Sequence, residues 1–260
     1  MLAAYLPRSD SNAYWLVDSK AHRLAVKALG FGFDEAVPLF FGETFAPAMD
    51  LSPWLIPVTE QVTSLDDVVL DLGILLRSER PVDEVIDHLR SLLIASLDGE
   101  EVMFRYYDKK VLLAMLQAMD ESERYAFMGN IDTMILAEQE VHEFKNNASK
   151  PFELNVDVWW RLLPHHMDAL YDVQNHAKIL ERRLWELIPN ALAQFDSPSN
   201  VIIHALESAI ERNYEKSQLE SCVIIEVAKQ ANLHLSELSM PLRLTFDELK
   251  ALQSIKETWS

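Results

Sequence analysis

Glu101-Val-Met-Phe-Arg-Tyr-Tyr-Asp108 runs directly into Lys109-Lys-Val-Leu-Leu-Ala-Met-Leu116. The pair reads as a buried strand feeding a helix. In an extended chain Val102, Phe104 and Tyr106 fall on one side and Met103, Arg105 and Tyr107 on the other. Asp108 is placed to cap the following helix by accepting from an early backbone N–H. Val111, Leu112, Met115 and Met119 then recur at helical spacing. An arginine within such an apolar strand needs an acidic partner, because guanidinium is costly to bury alone. Asp18 is the expected partner, at the end of another apolar run.

Working outward, short apolar segments alternate with amphipathic ones. Ala13-Tyr-Trp-Leu-Val-Asp18 reads as a buried strand, and Ala21 to Leu29 as a helix ending near Gly30. Pro38 makes the apolar run Ala36–Phe41 a poor central strand. Pro53-Trp-Leu-Ile-Pro-Val58 is extended, Leu65 to Leu70 is a short helix, and Leu72-Gly-Ile-Leu-Leu-Arg77 is a strand. Gly73 there permits close packing or a bulge. Pro81 opens a helix whose stripe is Val85, Ile86, Leu89, Leu92 and Leu93. Asp98-Gly99 turns the chain into the opening motif. Glu121 to Met128 is helical up to Gly129, and Ile131 to Leu136 is the last expected strand. This pattern predicts a mixed α/β lobe.

The polar stretch Lys145-Asn-Asn-Ala-Ser149 marks the expected boundary, giving lobes 1–145 and 146–260. The second reads as mostly α-helical. One helix opens at Pro164, carries Met167, Leu170, Val173, Ala177, Leu180, Leu184 and Leu187 on one face, and stops before Pro189. Val201 to Tyr214, Leu219 to Ala231 and Phe246 to Trp259 follow. Just past the boundary, Trp159, Trp160, Leu162 and Leu163 concentrate apolar mass. They either fill the joint between lobes or line a groove for an apolar segment of a partner, with Trp159, Trp160 and Leu163 as its candidate residues.

Composition narrows the function. The 260 residues are 49% hydrophobic and 25% charged, with a net charge of −18. Nucleic acid and anionic membranes attract basic surfaces, so neither is an expected partner. A single cysteine, Cys222, excludes an intramolecular disulfide and a Cys-based zinc site. The start, Met1-Leu-Ala-Ala-Tyr-Leu-Pro-Arg, followed by the polar residues Ser9 to Asn12, lacks the apolar core of a signal peptide. No uncharged apolar run has the length of a membrane helix. A cytoplasmic protein without membrane insertion is expected.

Catalytic patterns are absent. There is no Gly-x-Ser-x-Gly, no P-loop and no dinucleotide fingerprint among six glycines. His165-His166 with Asp168, and His142-Glu143, invite a metal reading, but adjacent helical side chains diverge by about 100°. No catalytic residue, metal or cofactor is expected. Glu207, Glu211 and Glu215, four apart, read as a solvated acidic stripe. Trp54, between Pro53 and Pro57, covers the lobe edge or, if exposed, marks an interface.

The run Arg105-Tyr-Tyr-Asp108 resembles the motif of the effector-adaptor, or effector-chaperone, family of bacterial type VI secretion, the Tap/Tec type. Over most of residues 13–145 the order of pieces is similar. Tyr14-Trp-Leu-Val-Asp18 looks like the family's first strand, Ser52-Pro-Trp-Leu55 its Pro-aromatic-Leu step, and Leu72-Gly-Ile-Leu-Leu-Arg-Ser78 its glycine-containing strand. Ala205 to Ala231 is similar to its paired helices. Where the family has proline then arginine after the motif aspartate, this chain has Lys109 and Lys110. The resemblance implies a binding protein with no cofactor. It would hold a cognate effector toxin and help load it onto the VgrG spike. Arg105, Tyr106, Tyr107, Asp108, Asp18 and Trp54 would be its motif residues, structural or partner-binding. Two other readings stand beside it: an enzyme with a dispersed active site between the lobes, and a scaffold unrelated to secretion.

Overall fold

The computed structural model describes residues 1–7, 12–148, 152–154 and 157–259. Ser9 to Ser11 of the polar N-terminal stretch, and Ser149 of the expected boundary, lie outside the described residues. The chain forms two compact units, Met1–Leu170 and Tyr171–Ser260. The first is mixed α/β and the second helical.

In chain order the first unit contains β1 (Ala13–Val17), α1 (Ser19–Leu29), β2 (Val37–Pro38), β3 (Trp54–Pro57), α2 (Glu60–Thr63), α3 (Asp67–Leu70), β4 (Ile74–Arg77) and α4 (Val82–Ser91). It continues with β5 (Ile94–Leu97), β6 (Glu100–Met103), α5 (Lys109–Ala118), α6 (Glu121–Met128), β7 (Thr133–Ala137), β8 (Val141–Lys145), β9 (Arg161–Leu162) and α7 (Pro164–Ala169). The six-stranded sheet has the order β2-β3-β1-β4-β7-β8, with every pairing antiparallel. Pro38 sits in the edge strand β2, where a missing N–H is tolerated.

Both faces of this sheet are covered, so β1 is buried throughout. Alternation sends Tyr14 and Leu16, with Leu55, Ile74, Leu76, Met134 and Leu136, into one core shared with α4, α5 and α6. It sends Trp15 and Val17, with Ile56, Leu75 and Ile135, into a second core shared with α1. Gly73, just before β4, lies under Trp15, whose Nε1 donates to the Leu70 carbonyl at 3.0 Å. The glycine serves close packing.

A second sheet, β6-β5-β9, differs from expectation. β5 and β6 form a hairpin turned by Asp98 and Gly99, both at positive φ. β9 adds to β5 in parallel. The opening motif therefore divides. Its strand stops at Met103 in this small sheet, and Arg105 to Asp108 form a turn before α5. Asp108 caps α5 as expected, accepting from Lys110 N at 3.1 Å. Strands β8 and β9 follow the expected last strand, so the first unit extends past residue 145. Trp160 belongs to its core, with Trp159 and Leu162 packed against it.

The second unit comprises α8 (Val173–Leu187), α9 (Pro189–Leu192), α10 (Pro198–Glu211), α11 (Lys216–Gln230), α12 (Leu235–Leu238) and α13 (Phe246–Trp259). Its core includes Leu180, Leu184, Ile202, Leu206, Cys222 and Val223. The long helix expected from Pro164 onward is two helices. The chain breaks after Ala169, and Asp172 starts α8 by accepting from Asn175 N at 3.0 Å. Cys222 is buried, and burial pushes its thiol up to about 11, leaving it un-ionised at neutral pH. No helix among the described residues is long and apolar enough to cross a membrane.

Candidate functional site

The motif turn is held from below and open above. Phe104 N donates to Leu93 O at 2.8 Å, extending the β5–β6 pairing by one step. Tyr106 is buried, and its hydroxyl donates to the Leu89 carbonyl of α4 at 2.7 Å. Burial raises its phenol far above the ordinary value. Tyr107 is also buried and meets Phe40 edge-on, with ring centroids 6.1 Å apart. Burial raises its phenol too, while a hydrogen bond and the charge of Arg105 pull the other way.

Arg105 is not buried. Its side chain is 61% exposed and pairs with Asp108, Nη2 to Oδ2, at 3.2 Å. This corrects the expected partner and environment. The strand ends before Arg105, so no desolvation has to be offset, and the nearest carboxylate is three residues ahead. Asp18 instead caps α1, accepting from Ala21 N at 2.7 Å. It still acts electrostatically on Tyr107, so the motif turn and the start of α1 share one neighbourhood.

Lys109, where the resembled family has proline, reaches back into the fold. Its ammonium donates to the carbonyls of Asp71 and Ala137 at 2.6 and 2.5 Å, and lies 3.4 Å from Glu138. Lys110 is exposed. The turn thus presents Arg105 and Lys110 to solvent over a foundation fixed by Tyr106 and Lys109. Replacing Tyr106 with phenylalanine tests that foundation. Leu89 O keeps a bond from Leu92 N at 3.3 Å, so the expected loss is about 1 kcal/mol in urea denaturation.

The remaining sequence candidates are scattered. Trp54 is half-buried and stacks on His22, centroids 4.3 Å apart and planes 15° from parallel. Trp159 donates to Ser91 Oγ at 3.0 Å. Trp160 lies edge-on to Phe127 at 5.2 Å. Leu163, just before α7, is exposed. Glu207, Glu211 and Glu215 are all exposed.

The adjacent histidines do converge, contrary to the sequence argument, with Glu123 as their carboxylate. Ligand atoms of Glu123, His165 and His166 lie within 4.8 Å of one another. The helical divergence is defeated because both histidines stand in the first turn of α7, and the His166 ring folds back onto its N-terminus. His165 Nε2 is 3.0 Å from Glu123 Oε2, and His166 Nε2 is 3.6 Å from the same atom. That oxygen also accepts from Asp120 N at 3.0 Å within the capping box of α6.

Chemistry decides between a metal site and a clamp. His166 Nδ1 accepts from Leu163 N at 3.1 Å, so the neutral ring carries its proton on Nε2, facing the carboxylate. A metal at Nε2 would force that proton onto Nδ1, against the Leu163 N–H. Burial and the neighbouring His165 hold the His166 pKa below its ordinary value. Burial works against ionisation of Glu123, but the Asp120 N–H and the His165 bond outweigh it and lower its pKa. The trio ties α7 to α6. The spacing Asp120-x-x-Glu123 is a capping signal that could have pointed to the start of α6; its meeting with Pro164-His-His has no local signal.

The model of a family described as a domain of unknown function, DUF4123, matches residues 13–126. The match begins with β1 and ends within α6, so it takes in the motif turn and the six strands before β7. Comparison with curated proteins and with solved structures finds no match.

Proposed function

We propose that this chain is a non-enzymatic adaptor that binds a cognate type VI secretion effector toxin in the cytoplasm and helps load it onto the VgrG spike. One observation carries the reading: the DUF4123 match over residues 13–126 covers the same stretch in which the Arg105-Tyr-Tyr-Asp108 motif and its preceding segments resemble secretion adaptors. The geometry supports it. Arg105 and Lys110 are exposed cations on a rigid turn, an arrangement suited to gripping a polypeptide with little ordering cost. Binding is the output, and no catalytic residue, cofactor or metal is assigned.

The test is co-production of the tagged full chain with the toxin and spike proteins encoded beside its gene, followed by affinity purification and size-exclusion chromatography. A stoichiometric complex with the toxin is expected. Arg105→Ala with Lys110→Ala should keep thermal stability within about 1 kcal/mol, as exposed charges do, while weakening the complex. Failure to recover either the toxin or the spike protein with the wild-type chain would end the proposal.

A further inference from the structure

The helical unit holds a cavity of about 380 Å³ between α11, the α11–α12 connection and α13. Its floor is apolar: Ile225, Ala228 and Leu235 are buried, and Trp259 forms a wall. Its charged lining is entirely basic. Lys229 and Lys256, both exposed, stand at it, and among the described residues no aspartate or glutamate lines it. In a chain of net charge −18, two ammonium groups with no acidic side chain among the described lining residues are out of keeping with the composition.

The wall is fixed in advance. Trp259 Nε1 donates to Glu226 Oε2 at 3.0 Å, and Gln230 donates to the other oxygen of that carboxylate at 2.9 Å. The Arg212 guanidinium lies 4.9 Å from the indole centroid and donates to the Trp259 carbonyl at 2.6 Å. Tyr214 meets the indole edge-on at 5.6 Å. Glu226 is thus engaged on the far side of Trp259, in an adjoining cleft of about 240 Å³, with Lys229 4.0 Å from its Oε2. A rigid aromatic wall costs a ligand little reorganisation.

We infer that this cavity receives an acidic–apolar peptide segment of the protein partner, a large apolar side chain entering beside Trp259 while a neighbouring carboxylate meets Lys229 and Lys256. The inference rests on the adaptor reading for the partner's identity, but not for the chemistry of the pocket. Volume selects a single large side chain, and charge selects the acid beside it.

The probe is the capped peptide Asp-Phe-Asp-Leu, with Asn-Phe-Asn-Leu as its neutral counterpart. Each is titrated into the full chain carrying ¹³C-methyl labels on isoleucine and leucine. The acidic peptide should move the Ile225, Leu233 and Leu235 methyl signals saturably, and about tenfold more tightly than the neutral one. Lys229→Glu with Lys256→Glu should abolish that response and cut toxin capture by about tenfold, whereas Lys178→Glu, an exposed lysine on α8, should change neither. All three lysines are exposed, so the variants should fold, and circular dichroism checks this. Equal shifts from both peptides, or undiminished toxin capture by the folded double variant, would overturn the inference while leaving the adaptor reading intact. Peptide binding by a wild-type chain that captures no toxin would remove the adaptor reading and the partner assignment, and leave the pocket's chemistry standing.

Discussion

Gly73→Ala should destabilise the protein by about 3–5 kcal/mol, the largest effect expected of any single methyl group added here. A Cβ at position 73 would sit 2.2 Å from Trp15 Nε1, 2.7 Å from Trp15 Cε2 and 2.6 Å from Val17 Cγ1. None of these atoms can retreat cheaply. Trp15 is 0% exposed in the second sheet core, and its strand is paired on both sides, with Ile56 and Leu75 opposite. Moving the indole would also break its buried bond to Leu70 O. Urea denaturation of wild type and variant measures the loss, and a change below about 1 kcal/mol would contradict this packing. Trp15→Phe in the same background supplies a second check. The smaller ring makes room for the new methyl, so the double variant should be less destabilised than the sum of the singles.

That glycine shows which parts of the fold were legible. Gly73 stood in an apolar strand, where glycine signals close approach, and the structure names what approaches. Strands β1, β3, β4 and β7 were readable because each is a short apolar run bounded by prolines, glycines or acids. Strand β5 was not. Leu92 and Leu93 continue the helical stripe of α4, so Ile94-Ala-Ser-Leu97 looks like the end of a helix until its partner β6 is seen. Strand β9 is two residues long and pairs in parallel with a segment more than sixty residues earlier. Periodicity carries no information at that range.

The candidate site was legible in a different proportion. The capping role of Asp108 and the burial of Tyr106 followed from local pattern. The environment of Arg105 did not, because it depended on where the strand stopped. An alternating run does not announce its last paired residue, and a one-residue difference decides whether a guanidinium is buried or solvated. Convergence of Glu123 with His165 and His166 depended on α7 docking against α5 and α6, which no local rule supplies. The basic lining of the helical-unit cavity was hidden for the same reason: Lys229 and Lys256 lie on separate helices, and only packing brings them together.

The fold should lose stability as pH falls from about 6.5 to 4, and His88 is the reason. Its ring is 0% exposed on the buried face of α4, with Nε2 3.1 Å from Phe127 O, the ring of Phe152 edge-on at 4.6 Å and Trp159 at 6.1 Å. Gly129 presses on it so closely that a Cβ there would come within 2.5 Å of the ring. Burial lowers its pKa from 6.5 to about 4, outweighing the imidazole's hydrogen bonds to the backbone at Phe127 and Met128. The unfolded chain therefore binds a proton near pH 6.5 while the folded chain refuses one until about pH 4. Between those values the unfolded state holds more protons, so stability rises with pH and is complete above about 6.5. The depression corresponds to about 2–4 kcal/mol. Urea midpoints at pH 7, 5.5 and 4.5 give the slope for the wild type, and the same series on His88→Gln isolates the contribution of this one imidazole. The variant should begin less stable at pH 7, with an amide fitted imperfectly into the ring's place, and should then show a flatter profile across the window. Parallel profiles for the two proteins would assign the acid sensitivity to other groups, with His166 and Glu123 first among them.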